Sequence, residues 1–135
     1  MTAIEHSTLE VAVLANGQAL SVPVYRIRGE SDGPSVYIQA NMHGAEVQGN
    51  AVIFQLLEQL KSQHCLGDIT LVPLANPIGS NQKSGEFTLG RFDPITGENW
   101  NRGYHFNKSL PVEFAADNKQ LTNDEIKQKF RQAII

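Results

Sequence analysis

The sequence has 135 residues and a mass of 14.9 kDa, which corresponds to a single domain. Hydrophobic residues make up 41% of it and charged residues 19%, a balance that supports a packed core and excludes wholesale disorder. The formal net charge of -3 lacks the basic surplus that is typical of proteins that bind nucleic acid or anionic membranes. We therefore expect neither nucleic acid nor a membrane among its partners.

The lone cysteine, Cys65, cannot form an internal disulfide, which is typical of proteins in a reducing compartment. The amino-terminal residues contain no basic segment followed by an apolar stretch, and the longest apolar runs are too short to span a membrane. We therefore expect a cytoplasmic location. Because Cys65 follows His64, a Cys–His nucleophile pair is an alternative, although no signal for oxyanion binding accompanies it.

Residues 1–30 are predicted to form a β-hairpin. Apolar and polar residues alternate on both sides of Asn16-Gly17, which supplies the residues that a type I′ turn needs. From Tyr25 onwards the apolar phase shifts by one residue, so we expect a β-bulge near Val24.

Residues 35–75 are predicted to form a βαβ core. The run Val36-Tyr37-Ile38 is typical of a buried, often parallel, strand. A helix is predicted from about Ala45 to His64, since its apolar residues recur at helical spacing, and a second core strand follows over residues 69–75. These elements predict an α/β fold with a mixed, largely parallel sheet, flanking helices and the amino-terminal hairpin.

Residues 76–106 are rich in glycine and show little periodicity, which predicts a long functional loop. A capping box, from Thr122 to Glu125, predicts a helix over residues 122–135, with an apolar stripe at Ile126, Phe130 and Ile134. That helix ends without a C-cap glycine, so we expect the domain to be incomplete and its exposed core surface to favour a homo-oligomer.

A candidate metal site lies directly after the first core strand, in Asn41-Met42-His43-Gly44-Ala45-Glu46. Ligands collect at the carboxyl ends of strands in open α/β sheets, and the spacing across Gly44 lets the imidazole of His43 and the carboxylate of Glu46 converge on one cation. One glutamate with two histidines is a known catalytic zinc set. The alternative is that Glu46 only complements the helix dipole and that His43 is an ordinary loop residue.

A second candidate site lies between Arg91 and Arg102. The planar fork of an arginine binds a carboxylate bidentately, and a neighbouring asparagine, here Asn101, can donate to the same group. A second arginine can stabilise the oxyanion that forms when a metal-activated water attacks an amide carbonyl. The alternative is that both arginines are solvated or paired with nearby carboxylates such as Asp93.

Taken in order, these segments resemble the succinylglutamate desuccinylase/aspartoacylase family of the zinc carboxypeptidase superfamily. The resemblance rests on His43-Gly44-x-Glu46 at the start of a helix, Ala75-Asn76-Pro77 at the end of a strand, Arg91-Phe92-x-Pro94-x-x-Gly97, and Asn101-Arg102. It spans residues 36–102, about half of the chain. It implies a three-layer, zinc-carboxypeptidase-like fold of which this chain is the amino-terminal part.

The resemblance implies that His43 and Glu46 bind one zinc ion, that Arg91 stabilises the oxyanion, and that Asn101 and Arg102 bind a substrate carboxylate. The implied reaction is hydrolysis of the amide bond of an N-acyl amino acid by a metal-activated water. The family's third zinc ligand is a later histidine and its general base a later glutamate, so both are expected downstream, and this chain alone is expected to be inactive.

The sequence departs from the family pattern at Asn99, where many relatives have aspartate, and after Arg102, which leaves the substrate open. Neither His105 nor His64 is expected to be the third ligand, because His105 lies on the same loop as Arg102 and His64 is expected at the far end of the predicted helix from His43. Two other functions remain open, namely a non-enzymatic module that binds carboxylates and a metallocarboxypeptidase that acts on peptides.

Overall fold

The computed structural model describes residues 3–103, 120–122 and 125. The chain divides into two compact units, Met1–Arg102 and Gly103–Ile135. The main sheet and all the predicted site residues lie in the first unit. Within the described ranges, no helix is both long enough and apolar enough to cross a membrane.

A mixed four-stranded sheet lies at the centre of the first unit. Its strands, in chain order, are β1 (Ile4–Val13), β2 (Ala19–Ile27), β3 (Val36–Gln39) and β4 (Ile69–Val72), and their order in the sheet is β1-β2-β4-β3. The pairs β1–β2 and β2–β4 are antiparallel, and β3–β4 is parallel. The structure therefore confirms the mixed α/β class and the hairpin. The predicted sheet is largely parallel, but in the described part of the chain only the β3–β4 pair of this sheet is parallel. The reason is that β2 lies between β1 and β4 and pairs antiparallel with both.

The β1–β2 hairpin turns at Asn16-Gly17 as predicted, but with a different geometry. Gly17 has a φ of 84°, whereas Asn16 does not have a positive φ. The N–H of Gly17 donates to the carbonyl of Leu14 over 2.8 Å. This pattern fits a type I turn followed by a left-handed glycine, so the predicted type I′ turn, which needs a positive φ at both residues, is wrong.

The predicted bulge near Val24 is also wrong. The strand register shifts instead between Glu10 and Ala12, on β1, and the pairing of β2 is continuous around Val24. The change of apolar phase coincides with Tyr25, the first residue of β2 that also pairs with β4.

The predicted βαβ unit is present as β3, helix α1 (Gln48–Leu60) and β4. The helix is shorter than the predicted span from Ala45 to His64, because residues 45–47 belong to the loop that carries the candidate site. The helix buries Ile53 and Leu57 against the sheet. With them, the buried apolar core contains Ile27, Cys65 and Leu71.

Strand β3 is parallel to β4, as predicted, but its side chains are not buried. Val36, Tyr37 and Ile38 are exposed to 42%, 60% and 37%. The strand is the last in the sheet order, so within the described part of the chain it pairs only with β4. The prediction of a buried strand is therefore wrong for these residues.

The glycine-rich segment after β4 has more structure than a long loop. It contains helix α2 (Pro77–Ser80) and a small hairpin of β5 (Lys83–Ser84) and β6 (Phe87–Thr88). The side chain of Asn76 caps α2 by accepting a hydrogen bond from the N–H of Gly79 over 2.8 Å. Residues 104–106 of the predicted loop lie outside the described residues.

The predicted capping box is present as reciprocal hydrogen bonds between Thr122 and Glu125. The backbone N–H and the hydroxyl of Thr122 donate to the Glu125 carboxylate over 2.8 and 2.7 Å, and the N–H of Glu125 donates back to the hydroxyl oxygen over 3.4 Å. These bonds from Thr122 lower the pKa of Glu125. The predicted apolar stripe at Ile126, Phe130 and Ile134 lies outside the described residues.

Candidate active site

The candidate site begins where the parallel neighbours β3 and β4 end. Backbone pairing continues beyond the strands, since the N–H of Ala40 donates to the carbonyl of Val72 and the N–H of Ala75 donates to the carbonyl of Ala40, each over 2.9 Å. The chain then turns through residues 41–47 before α1 starts. Polar side chains at this edge of the sheet are therefore held close together by the backbone of two strands.

The side chain of Asn41 organises the turn that follows β3. Asn41 is 6% exposed and has a φ of 58°, a left-handed conformation that asparagine tolerates better than most residues. Its Nδ2 lies 2.9, 3.2 and 3.3 Å from the carbonyl oxygens of His43, Gly44 and Glu46. Its Oδ1 accepts a hydrogen bond from the hydroxyl of Ser80 over 3.1 Å. One buried amide thus fixes the loop that carries both predicted metal ligands.

Three glycines bring the backbones around the site into direct contact. The N–H of Gly44 donates to the carbonyl of Gly90 over 2.8 Å. A Cβ atom on either Gly44 or Gly90 would lie 2.1 Å from the carbonyl oxygen of Gly79. No side chain fits at these positions, so the backbone before Arg91 lies directly against the backbone that follows His43.

This junction brings three of the predicted site residues together. His43 Nδ1 lies 3.1 Å from Glu46 Oε1, and the Arg91 Nη2 atom donates to the same oxygen over 2.6 Å. The His43 side chain is only 6% exposed, whereas those of Glu46 and Arg91 are half-exposed. Glu46 lies before α1, outside its first turn, and its carboxylate pairs with His43 and Arg91.

A fourth residue, Asn99, was not among the predicted site residues. Its Oδ1 lies 2.8 Å from His43 Nε2, and the N–H of Asn101 donates to the same oxygen over 2.9 Å. Asn99 is 56 positions from His43 in sequence. Its only sequence signal is its place two residues before Asn101-Arg102.

Asn101 and Arg102 join the site through the backbone around Asn99. The N–H of Arg102 donates to the carbonyl of Asn99 over 3.1 Å, and its Nη1 donates to the carbonyl of Asn101 over 2.6 Å. Both residues are exposed. These hydrogen bonds of Asn101 and Arg102 are within their own loop, whereas the side chains of His43, Glu46 and Arg91 meet at one carboxylate oxygen of Glu46.

The Nδ1 atom of His43 and the Oε1 atom of Glu46 are spaced as two neighbouring ligand atoms of a tetrahedral zinc ion would be. Tetrahedral zinc with ligand bonds of about 2.0–2.1 Å places neighbouring ligand atoms roughly 3.3 Å apart. The observed separation of 3.1 Å between Nδ1 and Oε1 is close to that value. Within the described residues, no group of three or more His, Cys, Asp or Glu side chains could hold a metal ion.

The Cys65–His64 pair does not form the alternative nucleophile site. Cys65 is buried in the apolar core, while His64 Nδ1 pairs with the two carboxylate oxygens of Glu30 over 2.8 Å. His6 stacks on Tyr25 with the ring centres 4.6 Å apart. His105 lies outside the described residues.

The family of the chain follows from comparison with known proteins. The family model for the succinylglutamate desuccinylase/aspartoacylase catalytic domain matches residues 32–134. The chain belongs to this family. The match includes every residue of the site described above.

Solved structures of family proteins agree with this assignment. A succinylglutamate desuccinylase/aspartoacylase family protein from Shewanella frigidimarina is 57% identical over 98% of this chain, with a TM-score of 0.72. One from Shewanella amazonensis is also 57% identical, over 96% of the chain, with a TM-score of 0.69. An aspartoacylase family protein from Mesorhizobium loti is 31% identical over 76% of the chain, with a TM-score of 0.57.

The chain is shorter than these relatives. It covers 36%, 35% and 30% of their respective lengths, so it spans about a third of the family proteins that it matches. No curated protein matches the chain in sequence.

Proposed function

We propose that this chain supplies part of the active site of a zinc-dependent deacylase, which hydrolyses the amide bond of an N-acyl amino acid. The observation that carries the proposal is the convergence of His43, Glu46 and Arg91 where two parallel strands end. Family membership supports deacylation as the reaction. The separation of His43 Nδ1 and Glu46 Oε1 supports zinc as the bound metal ion.

His43 and Glu46 would hold the metal ion. Catalytic zinc commonly has three protein ligands, so we infer that a third ligand comes from outside the described residues. When bound, zinc polarises the amide carbonyl and lowers the pKa of the water that attacks it. The role of the protein here is to hold two ligands rigidly, which the buried side chain of His43 and the Asn41 amide support.

Arg91 would stabilise the negative charge that develops on the carbonyl oxygen. Its guanidinium lies 2.6 Å from the Glu46 oxygen that also faces His43, so its positive charge is beside the proposed metal ligands. A charge fixed at this place stabilises the transition state more than the neutral amide of the ground state.

Asn101 and Arg102 would bind the carboxylate of the substrate. Both are exposed on the loop that Asn99 connects to His43. The arginine supplies a planar pair of donors that matches a carboxylate, and the asparagine amide adds another. This assignment favours substrates with a free carboxylate next to the scissile amide.

The proposal is tested by assaying the complete product of the gene against a panel of N-succinyl and N-acetyl amino acids. His43→Ala should reduce hydrolysis to background, and Arg91→Ala should lower kcat by roughly 10²–10³-fold, as does loss of other oxyanion donors. Arg102→Ala should mainly raise KM, because the carboxylate is bound equally in the ground and transition states.

His64→Ala is the matched control for these variants, since His64 also pairs with a glutamate but is exposed. It should hydrolyse the substrates at the wild-type rate. Full activity of His43→Ala would refute the metal-ligand assignment. Release of carboxyl-terminal residues from peptides, with no deacylation, would instead indicate a carboxypeptidase.

A further inference from the structure

We propose that a surface cavity beside Arg91 binds the acyl group of the substrate and selects apolar acyl chains that are longer than acetyl. The inference rests on the proposed function, because it assigns a binding place to one end of the same substrate. It follows from the position of the cavity, from the side chains that line it and from their charges.

The cavity lies where the chain leads from the β5–β6 hairpin to Arg91. Its volume is about 500 Å³, within the range of roughly 300–1,000 Å³ that is usual for small-molecule sites. Its walls come from the base of the hairpin and from residues 90–94. The backbone of these walls is held by the N–H of Leu89, which donates to the carbonyl of Gln82 over 2.9 Å, and by the close contact of Gly90 with Gly44 and Gly79. The cavity is therefore built on the same backbone junction as the candidate active site.

Arg91 connects the cavity to the proposed reaction centre. It lines the cavity, and its Nη2 atom lies 2.6 Å from Glu46 Oε1. Asn101 and Arg102, which would bind the carboxylate of the amino acid, do not line the cavity. The amide carbonyl that Arg91 would stabilise is the carbonyl of the acyl group. The acyl chain, which is bonded directly to that carbonyl carbon, is therefore the part of the substrate next to the cavity.

The lining offers apolar surface to this chain. Leu89 and Phe92 are large hydrophobic residues, yet 57% and 52% of their surface is exposed. Pro94 adds further apolar surface. Contact with a hydrocarbon chain removes apolar surface from water, which favours binding roughly 4-fold for each buried methylene group. An acetyl group, which carries a single methyl group, gains least from this lining.

The charges around the cavity disfavour an acyl group that ends in a carboxylate. The guanidinium of Arg91 already pairs with Glu46, and Asp93 adds a negative charge to the wall. Two backbone N–H groups of its own turn donate to Oδ1 of Asp93 and hold this carboxylate in place. Lys83 donates to the hydroxyl of Thr88 but is exposed, so solvent screens its charge. A second carboxylate in the cavity would therefore meet Asp93 without a cation of its own.

The test uses the N-acetyl, N-hexanoyl and N-succinyl derivatives of glycine, which has no side chain that could occupy the cavity instead. The complete gene product should hydrolyse the hexanoyl compound with a kcat/KM about 10–100-fold above that of the acetyl compound. Most of this gain should be a lower KM, because the chain is bound equally in the ground and transition states. Calorimetric titration of the metal-free protein should show the same order of affinity without hydrolysis.

Leu89→Arg should change the preference, because it removes apolar surface from the wall and places a cation there. Leu89 is more than half-exposed, so the substitution leaves the core intact. The hexanoyl compound should lose about 10-fold in kcat/KM, and the succinyl compound should gain by a similar factor. The matched control is Ile95→Arg, which adds the same charge at a residue that is 92% exposed and does not line the cavity. The control should keep the wild-type preference.

The proposal is overturned if the hexanoyl compound binds the wild-type protein no more tightly than the acetyl compound, or if Leu89→Arg keeps the wild-type preference. If Leu89→Arg does not fold, Leu89→Ala should still narrow the ratio between the hexanoyl and acetyl compounds, and an unchanged ratio would also overturn the proposal. Tighter binding of the hexanoyl compound with no hydrolysis of any of the three would contradict the proposed function alone. Hydrolysis that favours the acetyl or succinyl compound would contradict the cavity assignment alone.

Discussion

Replacing Gly44 with alanine should damage the site through backbone displacement. A Cβ at Gly44 would lie 2.1 Å from the carbonyl oxygen of Gly79, and real Cβ contacts are essentially never shorter than 3.0 Å. The nearest atoms belong to the backbone, so no side chain can rotate away. The two segments must therefore separate by about 1 Å, which is comparable to the overpacking that costs roughly 1–3 kcal/mol in protein cores.

The displacement should reach the proposed chemistry directly. Gly44 follows His43, and its N–H donates to the carbonyl of Gly90, which precedes Arg91. A shift of about 1 Å in catalytic groups can cost roughly 10²-fold in rate. We therefore expect Gly44→Ala to lower kcat/KM for deacylation by about 10²-fold, along with its loss of stability.

Urea unfolding and steady-state hydrolysis of the complete gene product measure the two effects separately. The matched control is Gly17→Ala in the β1–β2 turn, where φ is 84° and no atom lies within 4 Å of the new Cβ. This control should lose about 1–2 kcal/mol from its left-handed backbone and retain its activity. Wild-type activity and stability in Gly44→Ala would show that the backbones of Gly44 and Gly79 do not have to separate.

Two further predictions concern stability. Asn41→Asp should lower the free energy of unfolding in urea by roughly 2–4 kcal/mol, because a carboxylate would face three carbonyl oxygens in place of the amide donor. The control Asn16→Asp, at an exposed turn residue, should change this free energy little. Equal effects of the two substitutions would contradict the role of Asn41. Hydrogen bonds from Arg28 and Gly29 lower the pKa of Asp68. The charged carboxylate therefore stabilises the fold at pH values above the ordinary aspartate pKa of about 4. This stabilisation is lost as the pH falls through the lowered pKa. The urea midpoint should therefore fall less steeply below about pH 4 in Asp68→Asn than in wild type, and identical slopes would contradict this.

Much of the candidate site could be predicted because its signals are local. His43 and Glu46 follow a recognisable strand within a few residues, and Arg91 belongs to a motif in the right order. Open α/β sheets place such residues at one edge. The structure confirms that these three side chains meet.

The remaining site features depend on contacts between distant segments, which a local pattern does not contain. The role of Asn99 arises from a contact 56 positions away. Asn41 could not be identified because its left-handed backbone and its bonds to carbonyls appear only when the loop is folded.

The errors in the fold have a similar origin. Asn16-Gly17 has the composition of a type I′ turn, but the hairpin adopts a longer loop with only Gly17 left-handed. The apolar run of β3 predicts burial, but its edge position, which depends on strand order, leaves it exposed in the described part of the chain.

Zinc binding to the complete gene product tests most directly whether His43 and Glu46 form a metal site. Calorimetric titration of the metal-free protein should show one zinc ion per chain in wild type and in the control His64→Ala. His43→Ala and Glu46→Gln should each lose this binding or weaken it strongly, because each removes a proposed ligand. Zinc binding in both of these variants with wild-type stoichiometry and affinity would contradict the proposed metal site.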